Sequence, residues 1–212
     1  MTIHNNYFKI SFTTEGSVIG GEGDDYIRSD SGNKNLLIET GEGDNTVSTS
    51  YDKNTTIKAY GGNDSISIYD SSETLIDAGE GDNFVGASNL NNADAADNTV
   101  ITGAGSDTVG TSGKRFLILT GEGNDSIRHV GENSTIRGGD GDDWINNHDG
   151  GRDYATNPTM GANNLVEGGA GNDSLSNACN SVTLDGGIGD DYIGSGAVDR
   201  AVLIGGDGND SI

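Results

Sequence analysis

The chain has 212 residues, of which 34 are Asp or Glu and 11 are Lys or Arg, so its formal net charge is −23. This acidity excludes nucleic acids and anionic membrane surfaces as partners, because both attract basic proteins, and it favours cations. Leu, Ile, Val and Phe account for 42 residues, a level at which so charged a chain is expected to need outside help to fold.

Two further classes are excluded by composition. Cys179 is the only cysteine, so an internal disulfide and a thiol-rich metal cage are both impossible. The first ten residues contain no long apolar run, and neither a cleavable secretory signal nor membrane insertion is expected.

Residues 1–15 form a leader that precedes the repeats. Residues 7–13 alternate apolar and polar side chains, with Phe8, Ile10 and Phe12 on one side. This alternation predicts a strand that caps the first coil of the repeat domain.

Residues 16–212 repeat one glycine-rich loop ten times, and they are predicted to form a single domain. The first copy reads Gly20-Gly21-Glu22-Gly23-Asp24-Asp25-Tyr26-Ile27. The glycine at the fourth position recurs at residues 23, 43, 62, 81, 105, 123, 141, 171, 189 and 208. A period far shorter than a domain is typical of solenoids, in which each unit buries its apolar face only by stacking on its neighbours.

Two positions around each loop are always Val, Ile or Leu. The first follows the loop, at Ile27, Val47, Ile66, Val85, Val109, Ile127, Ile145, Leu175, Ile193 and Ile212. The second lies two residues before the loop, at Val18, Ile38, Ile57, Ile76, Val100, Ile118, Ile136, Val166, Leu184 and Leu203. Short β-branched runs between turns indicate strands. We therefore predict an all-β, right-handed parallel β-roll or β-solenoid of about ten coils of 18–20 residues, with two short strands per coil.

Two steps between loops are longer than the others, and they predict insertions at about 86–97 and 146–164. Both fall after one strand and before the next, at the edge opposite the glycine loops. The second contains Asn146, Asn147, His148, Asp149, Arg152, Asp153, Tyr154 and the only proline, Pro158. It is either a binding loop or a solvated insertion.

The loop itself carries the chemistry of a metal site. Glycines allow a tight turn that directs backbone carbonyls to one side, and the sixth residue is always Asp or Asn. Stacked coils would place these carboxylates about 5 Å apart, which is destabilising unless a cation lies between them. Oxygen donors in a flexible ring favour Ca²⁺ over Mg²⁺, and the absence of a recurring His or Cys disfavours zinc and copper.

The predicted calcium ligands are the ten sixth-position side chains and the carbonyls near the loop glycines. The side chains are Asp25, Asn45, Asp64, Asn83, Asp107, Asp125, Asp143, Asp173, Asp191 and Asp210. The glycines are Gly21, Gly23, Gly41, Gly43, Gly62, Gly79, Gly81, Gly103, Gly105, Gly121, Gly123, Gly139, Gly141, Gly169, Gly171, Gly187, Gly189, Gly206 and Gly208.

The pattern Gly-Gly-x-Gly-x-Asp-x-apolar, intact in the copies that begin at Gly20, Gly138, Gly168, Gly186 and Gly205, resembles the repeats-in-toxin (RTX) or haemolysin-type calcium-binding nonapeptide. The resemblance implies a parallel β-roll that bacteria secrete, by a non-classical or type I-like route, and that folds when calcium enters between stacked loops. In that family the nonapeptide lines both edges, whereas alternate units here lack the loop, so calcium is expected at one edge only.

Ten loops leave nine spaces, and nine ions would bring the charge from −23 to about −5. Five copies, starting at Thr40, Ala59, Ala78, Thr102 and Thr120, lack the first glycine. Sites around Asn45, Tyr60 and Asn83 are expected to be weaker, so that loops beyond residue 138 fill at lower calcium concentration than loops before residue 90.

No catalytic spacing is present, and His4, His129 and His148 do not recur with the loop, so we predict that this segment is not an enzyme. The favoured function is a calcium-folded structural or interaction module of a secreted or surface protein, such as an adhesin. An alternative is the C-terminal export and folding module of a secreted protease, lipase or epimerase whose catalytic domain lies outside these residues. Ice binding and carbohydrate binding through residues 146–164 are further alternatives.

Two observations concern neighbours of the solenoid. The residue three before each loop alternates between polar and apolar types and includes Leu37, Leu75, Leu117 and Leu165, which would suit either a lateral chain partner or an ordinary solvated surface. The chain ends on Ile212 inside a loop unit, so we expect a fragment or neighbouring repeats.

Overall fold

The computed structural model describes residues 5–11, 15–30, 32–89, 96–148, 163–196 and 200–212. Within those ranges the chain is all-β and contains no helix, and therefore none that could cross a membrane. The predicted parallel β-solenoid is confirmed.

Twenty strands form two ten-stranded parallel sheets. Sheet 1 holds the odd-numbered strands: β1 Tyr7–Ile10, β3 Tyr26–Ser29, β5 Thr46–Ser50, β7 Ser65–Tyr69, β9 Phe84–Ser88, β11 Thr108–Lys114, β13 Ser126–Glu132, β15 Trp144–Asn147, β17 Ser174–Asn177 and β19 Tyr192–Ser195. Sheet 2 holds the even-numbered strands: β2 Gly16–Glu22, β4 Leu36–Glu42, β6 Thr56–Lys58, β8 Leu75–Asp77, β10 Thr99–Ile101, β12 Leu117–Glu122, β14 Thr135–Asp140, β16 Leu165–Ala170, β18 Thr183–Ile188 and β20 Val202–Asp207.

The core is a thin layer between the sheets, built from the two predicted apolar positions. In sheet 1, Ile127 pairs in register with Ile145, and in sheet 2, Ile118 pairs with Ile136; all four side chains are fully buried. Because equivalent residues stack along the axis, the repeat in sequence becomes two continuous files of branched side chains. In these two files only the side chains near the ends of the solenoid, Val18, Leu203 and Ile212, are partly exposed.

The glycine loops connect sheet 2 to sheet 1 and form one edge of the solenoid, which we call the loop edge. The turns that return from sheet 1 to sheet 2 form the second edge. Each described return turn contains a non-glycine residue with positive φ, at the nine positions Asn35, Asn54, Glu73, Asp97, Arg115, Asn133, Asn163, Ser181 and Arg200, and two of these turns contain a second one, Tyr51 or Asp70. Asn tolerates this conformation better than most residues, and four of the nine are Asn. The second edge therefore turns without a glycine loop.

The two predicted insertions lie at the second edge, and they are only partly described. Strand β9 continues to Ser88 and strand β15 to Asn147, so the first residues of each predicted range belong to strands. Residues 90–95 and 149–162, including Asp149, Arg152, Asp153, Tyr154 and Pro158, lie outside the described residues, as does Phe12.

The close stacking of the loops predicts that loop glycines cannot be replaced. A Cβ at Gly141, whose φ is 133°, would lie 2.0 Å from the Gly123 carbonyl oxygen of the preceding coil. A Cβ at Gly110, in the middle of β11, would have no atom within 4 Å. Gly141→Ala should therefore destabilise the fold by about 1–3 kcal/mol from backbone strain alone, and Gly110→Ala by about 0.5 kcal/mol or less. Thermal melts in saturating calcium compare the two; equal melting temperatures would contradict this account.

Candidate metal site

The loop at residues 138–145 illustrates how the loop edge is built. Gly139 and Gly141 have φ values of 127° and 133°, and the space that a Cβ would take at each is filled by a carbonyl oxygen of the preceding coil, at 1.9 and 2.0 Å. Every predicted loop glycine except Gly21 has a positive φ. The glycines therefore allow the loops to lie directly on one another.

The sixth-position side chains form one continuous file along this edge. The Asp125 N–H donates to Asp143 Oδ1, and the Asp143 N–H donates to Asp173 Oδ1, each at 2.8 Å. The same bond joins every successive pair from Asp25 to Asp210, through Asn45, Asp64, Asn83, Asp107 and Asp191, at 2.8–3.1 Å. The structure thus brings all ten predicted side chains together, with the backbone engaging one side-chain oxygen of each.

The second carboxylate oxygen has a different environment. In Asp25, Asp64, Asp107, Asp125, Asp143, Asp173 and Asp191, Oδ2 is buried and accepts no hydrogen bond from the described residues. Thr102 and Thr120 lie beside Asp107 and Asp125 and offset part of the rise in the pKa values of these carboxyls, while their hydroxyls donate to the carbonyls of Thr120 and Gly138. A buried carboxylate oxygen without a donor is strongly destabilising unless a proton or a cation lies against it.

The first loop glycine makes room for that oxygen. A Cβ at Gly138 would lie 2.0 Å from Asp143 Oδ2, and one at Gly186 would lie 2.2 Å from Asp191 Oδ2. The same holds at Gly20, Gly168 and Gly205. The copies with Thr or Ala at this position place a side chain there instead.

The two asparagine loops reveal what faces the second oxygen. Asn45 Nδ2 donates to the carbonyls of Gly41 at 3.3 Å and Gly43 at 2.7 Å. Asn83 Nδ2 donates to the carbonyls of Gly79, Gly81 and Thr102 at 2.9–3.3 Å. The carbonyls of the second and fourth loop residues therefore converge on the sixth side chain. An Asn amide satisfies them with its own hydrogens, whereas an Asp presents another oxygen.

Burial changes the acidity of these aspartates. Burial raises the pKa of Asp143 to about 7 and the pKa values of Asp64 and Asp173 to about 6. It also raises the pKa values of Asp107, Asp125 and Asp191. Charged neighbours on adjacent coils, such as Asp125 and Asp173 around Asp143, contribute in the same direction. The ionised loop edge therefore needs a compensating positive charge.

A hard divalent cation fits this donor set. Carbonyl and carboxylate oxygens are the ligands that Ca²⁺ prefers, and it tolerates the irregular geometry of loops. Among the described residues no three His, Cys, Asp or Glu side chains converge on one point, so backbone carbonyls would supply much of the coordination. Residues that would hold the ion are the sixth-position Asp and the second and fourth glycines of adjoining loops.

A buried carboxylate at the second edge, that of Asp52, lacks this deficit. Asp52 Oδ2 accepts the Ser29 hydroxyl at 2.7 Å, and Asp52 Oδ1 accepts both the backbone N–H and the side-chain amide of Asn33. Its two oxygens are satisfied by the protein, so this carboxylate requires no ion.

Sequence reasoning missed a second file of side chains on the loop edge. The fifth loop residue is Asp or Asn in nine of ten copies, which was the available signal. Its side chain accepts from the following coil, as in Asn63 N–H to Asp44 Oδ1 at 2.7 Å and Asn172 N–H to Asp142 Oδ1 at 2.7 Å. The sixth-position side chains, in contrast, accept hydrogen bonds from the preceding coil. The hydrogen bonds of the two files therefore point in opposite directions along the axis, and each loop is bonded to both neighbouring loops.

Stacked glycine–Asx turns along one edge of a parallel β-solenoid define a β-roll of the calcium-binding class. A family model of the RTX calcium-binding nonapeptide repeat matches residues 17–33, 92–110, 159–176 and 201–212. The chain thus contains RTX calcium-binding nonapeptide repeats, as its loop pattern predicted. No curated protein and no solved structure matches it significantly.

The asparagine loops generate a prediction about calcium stoichiometry. Asn45→Asp removes the amide that satisfies the Gly41 and Gly43 carbonyls and places an oxygen against them. The variant should bind one more Ca²⁺ per chain and lose order in chelator, as measured by native mass spectrometry and circular dichroism. Asn63→Asp adds the same charge at the exposed fifth loop position and should leave the number of bound ions unchanged. Equal ion counts for wild type and Asn45→Asp would contradict the role of the amide.

The raised pKa values predict an unusual pH dependence without divalent ions. The pKa of Asp143 is about 7 in the folded chain and about 3.9 when unfolded, so the folded state binds more protons between these values. Stability in chelator should therefore fall as pH rises from about 5 to about 8. In saturating calcium the slope should reverse, because protons compete with the ion. A β-sheet circular dichroism signal in chelator that grows as pH rises would contradict this prediction.

Proposed function

We propose that the chain is a calcium-folded structural module of a secreted or surface protein. In this proposal Ca²⁺ binds between the stacked loops and serves the fold, not catalysis. The observation that carries this proposal is the file of buried Oδ2 atoms without hydrogen-bond donors among the described residues, repeated from coil to coil. The net charge of −23 supports it, because a thin core must offset considerable repulsion unless cations are bound.

The distribution of Asp and Asn along the loop edge indicates where the ions bind. Loops with Asp at the sixth position need a cation, whereas the loops of Asn45 and Asn83 provide amide hydrogens in its place. The occupied spaces are accordingly fewer than the nine that the loop count allows. The region around these asparagines keeps its order at low calcium, and the loops beyond residue 138, where the first glycine returns, respond most strongly.

A calcium requirement also suits a protein that leaves the cell. RTX-type sites with carbonyl-rich coordination bind in the range of extracellular modules, about 0.1–1 mM, so the chain would stay loosely folded inside the cell and fold outside. RTX repeats typically occur in secreted proteins, which supports an extracellular location.

Far-ultraviolet circular dichroism during a calcium titration tests the proposal. We expect a weak β-sheet signal in chelator and a cooperative gain at millimolar calcium, with Mg²⁺ much less effective. An equally ordered and equally heat-resistant chain after exhaustive chelation would refute it.

A pair of variants tests the role of the buried oxygen. Asp143→Asn supplies an amide at the position where Asn45 has one, so it should bind one fewer Ca²⁺ and gain order in chelator. Asp142→Asn makes the same charge change one residue earlier, where Oδ1 accepts the Asn172 N–H, and should leave the ion count unchanged. Native mass spectrometry counts the ions; loss of an ion in both variants would indicate a charge effect instead.

A further inference from the structure

The outer face of sheet 1 differs in charge from the rest of the molecule. Among the described residues, Glu132 is the only acidic residue within a sheet 1 strand, and it pairs with Lys114 at 2.6 Å. Asp30, just after β3, pairs with Lys9 at 3.1 Å. Sheet 2 strands, in contrast, carry acids such as Glu39, Asp77 and Glu167. The acidity that repels anions and favours solvation is therefore directed away from the sheet 1 face.

Aromatic side chains form a file along this face. The outward position just before each inward apolar residue holds Tyr26, Phe84, Trp144 and Tyr192, which are 39–59 % exposed. The described coils between them carry only hydroxyl side chains at this position, at Thr46, Ser65, Thr108, Ser126 and Ser174. We call these nine residues the aromatic file. It contains no charged residue, whereas the strands of sheet 2 contain no aromatic residue.

Two of the rings lie close to a glycine of their own strand. A Cβ at Gly86 would meet the Phe84 ring at 3.6 Å, and a Cβ at Gly194 would meet the Tyr192 ring at 3.5 Å. Each ring therefore leans over the glycine two residues further along its own strand. Both side chains keep about half of their surface exposed, at 48 % for Phe84 and 59 % for Tyr192, and can therefore contact a ligand on this face.

The spacing and the chemistry of the file select a ligand class. Trp144 and Tyr192 are two coils apart, about 10 Å, and Phe84 and Trp144 are three coils apart, about 14 Å. Exposed aromatic rings that alternate with hydroxyls offer stacking surfaces and hydrogen-bond partners in one line. Pyranose rings present an apolar face and a rim of hydroxyls, which is the complementary pattern.

We propose that the aromatic file binds a neutral polysaccharide of pyranose rings, which runs along the solenoid axis and stacks on Phe84, Trp144 and Tyr192. The nine residues of the aromatic file carry no charge, so the surface on which the ligand would stack favours a neutral polymer over an acidic one. The site rests on the proposed calcium-dependent fold, since the rings come into line only when the coils stack.

Trp144 is the only tryptophan of the chain, so its fluorescence reports binding at the file directly. The full chain in saturating calcium is titrated with soluble β-glucan, and its retention on insoluble cellulose and chitin is measured in parallel. We expect a change in Trp144 emission and retention on at least one neutral polymer. Alginate serves as the acidic comparison, and we expect weaker binding to it.

The test variant is the double substitution Phe84→Ser and Tyr192→Ser, because Ser already occupies this position in other coils. It should weaken binding by about tenfold for each ring removed. Tyr51→Ser is the matched control, since Tyr51 is similarly exposed, at 52 %, but lies in a return turn at the second edge and outside the aromatic file. Circular dichroism in calcium confirms that each variant is folded.

Three results would overturn the polysaccharide site. These are no binding to any neutral polymer by the folded chain, equal binding by the wild type and the double variant, and binding to alginate alone. A concentration-dependent dimer that dissociates in the double variant would assign the face to a second copy of the chain. If calcium-induced folding is observed in the same samples, each of these outcomes leaves the proposed calcium function intact.

Discussion

The structure depends on one constraint: parallel stacking places every residue about 4.8 Å from its counterpart in the next coil. For Ile127 on Ile145 this spacing is favourable, because apolar side chains pack along the axis. For Asp125 on Asp143 it is unfavourable, because each carboxylate is buried near another and near backbone carbonyls. The same repetition that builds the core therefore leaves buried negative charge on the loop edge without a compensating positive charge.

The chain resolves this deficit in two ways. In the asparagine loops, an amide donates to the carbonyls of the second and fourth loop residues, so the loop closes with hydrogens of its own. In the aspartate loops, the equivalent oxygen has no donor among the described residues, and a cation is required. On the proposed function, one atom at the sixth position, nitrogen or oxygen, decides whether a space between coils depends on calcium.

The two edges of the solenoid reverse the chain direction with different residues. The loop edge uses glycines whose Cβ positions are taken by carbonyls, and it leaves carboxylates that need an ion. The second edge uses non-glycine residues with positive φ in its turns and satisfies Asp52 with protein donors. The repeated calcium sites therefore lie along one side, while the outer faces of the sheets remain available for binding partners.

Residue spacing alone predicted the architecture and the residues that line the loop edge. Two invariant apolar positions and a recurring oxygen donor predicted the paired sheets and the file from Asp25 to Asp210, because parallel stacking converts periodicity directly into alignment. Only the tertiary structure decided which way each side chain donates or accepts, the opposite directions of the two Asx files, and the posture of Phe84 over Gly86. Those features depend on side-chain torsions and on which neighbouring coil offers the nearer N–H group, and neither is encoded in the spacing of residues along the chain.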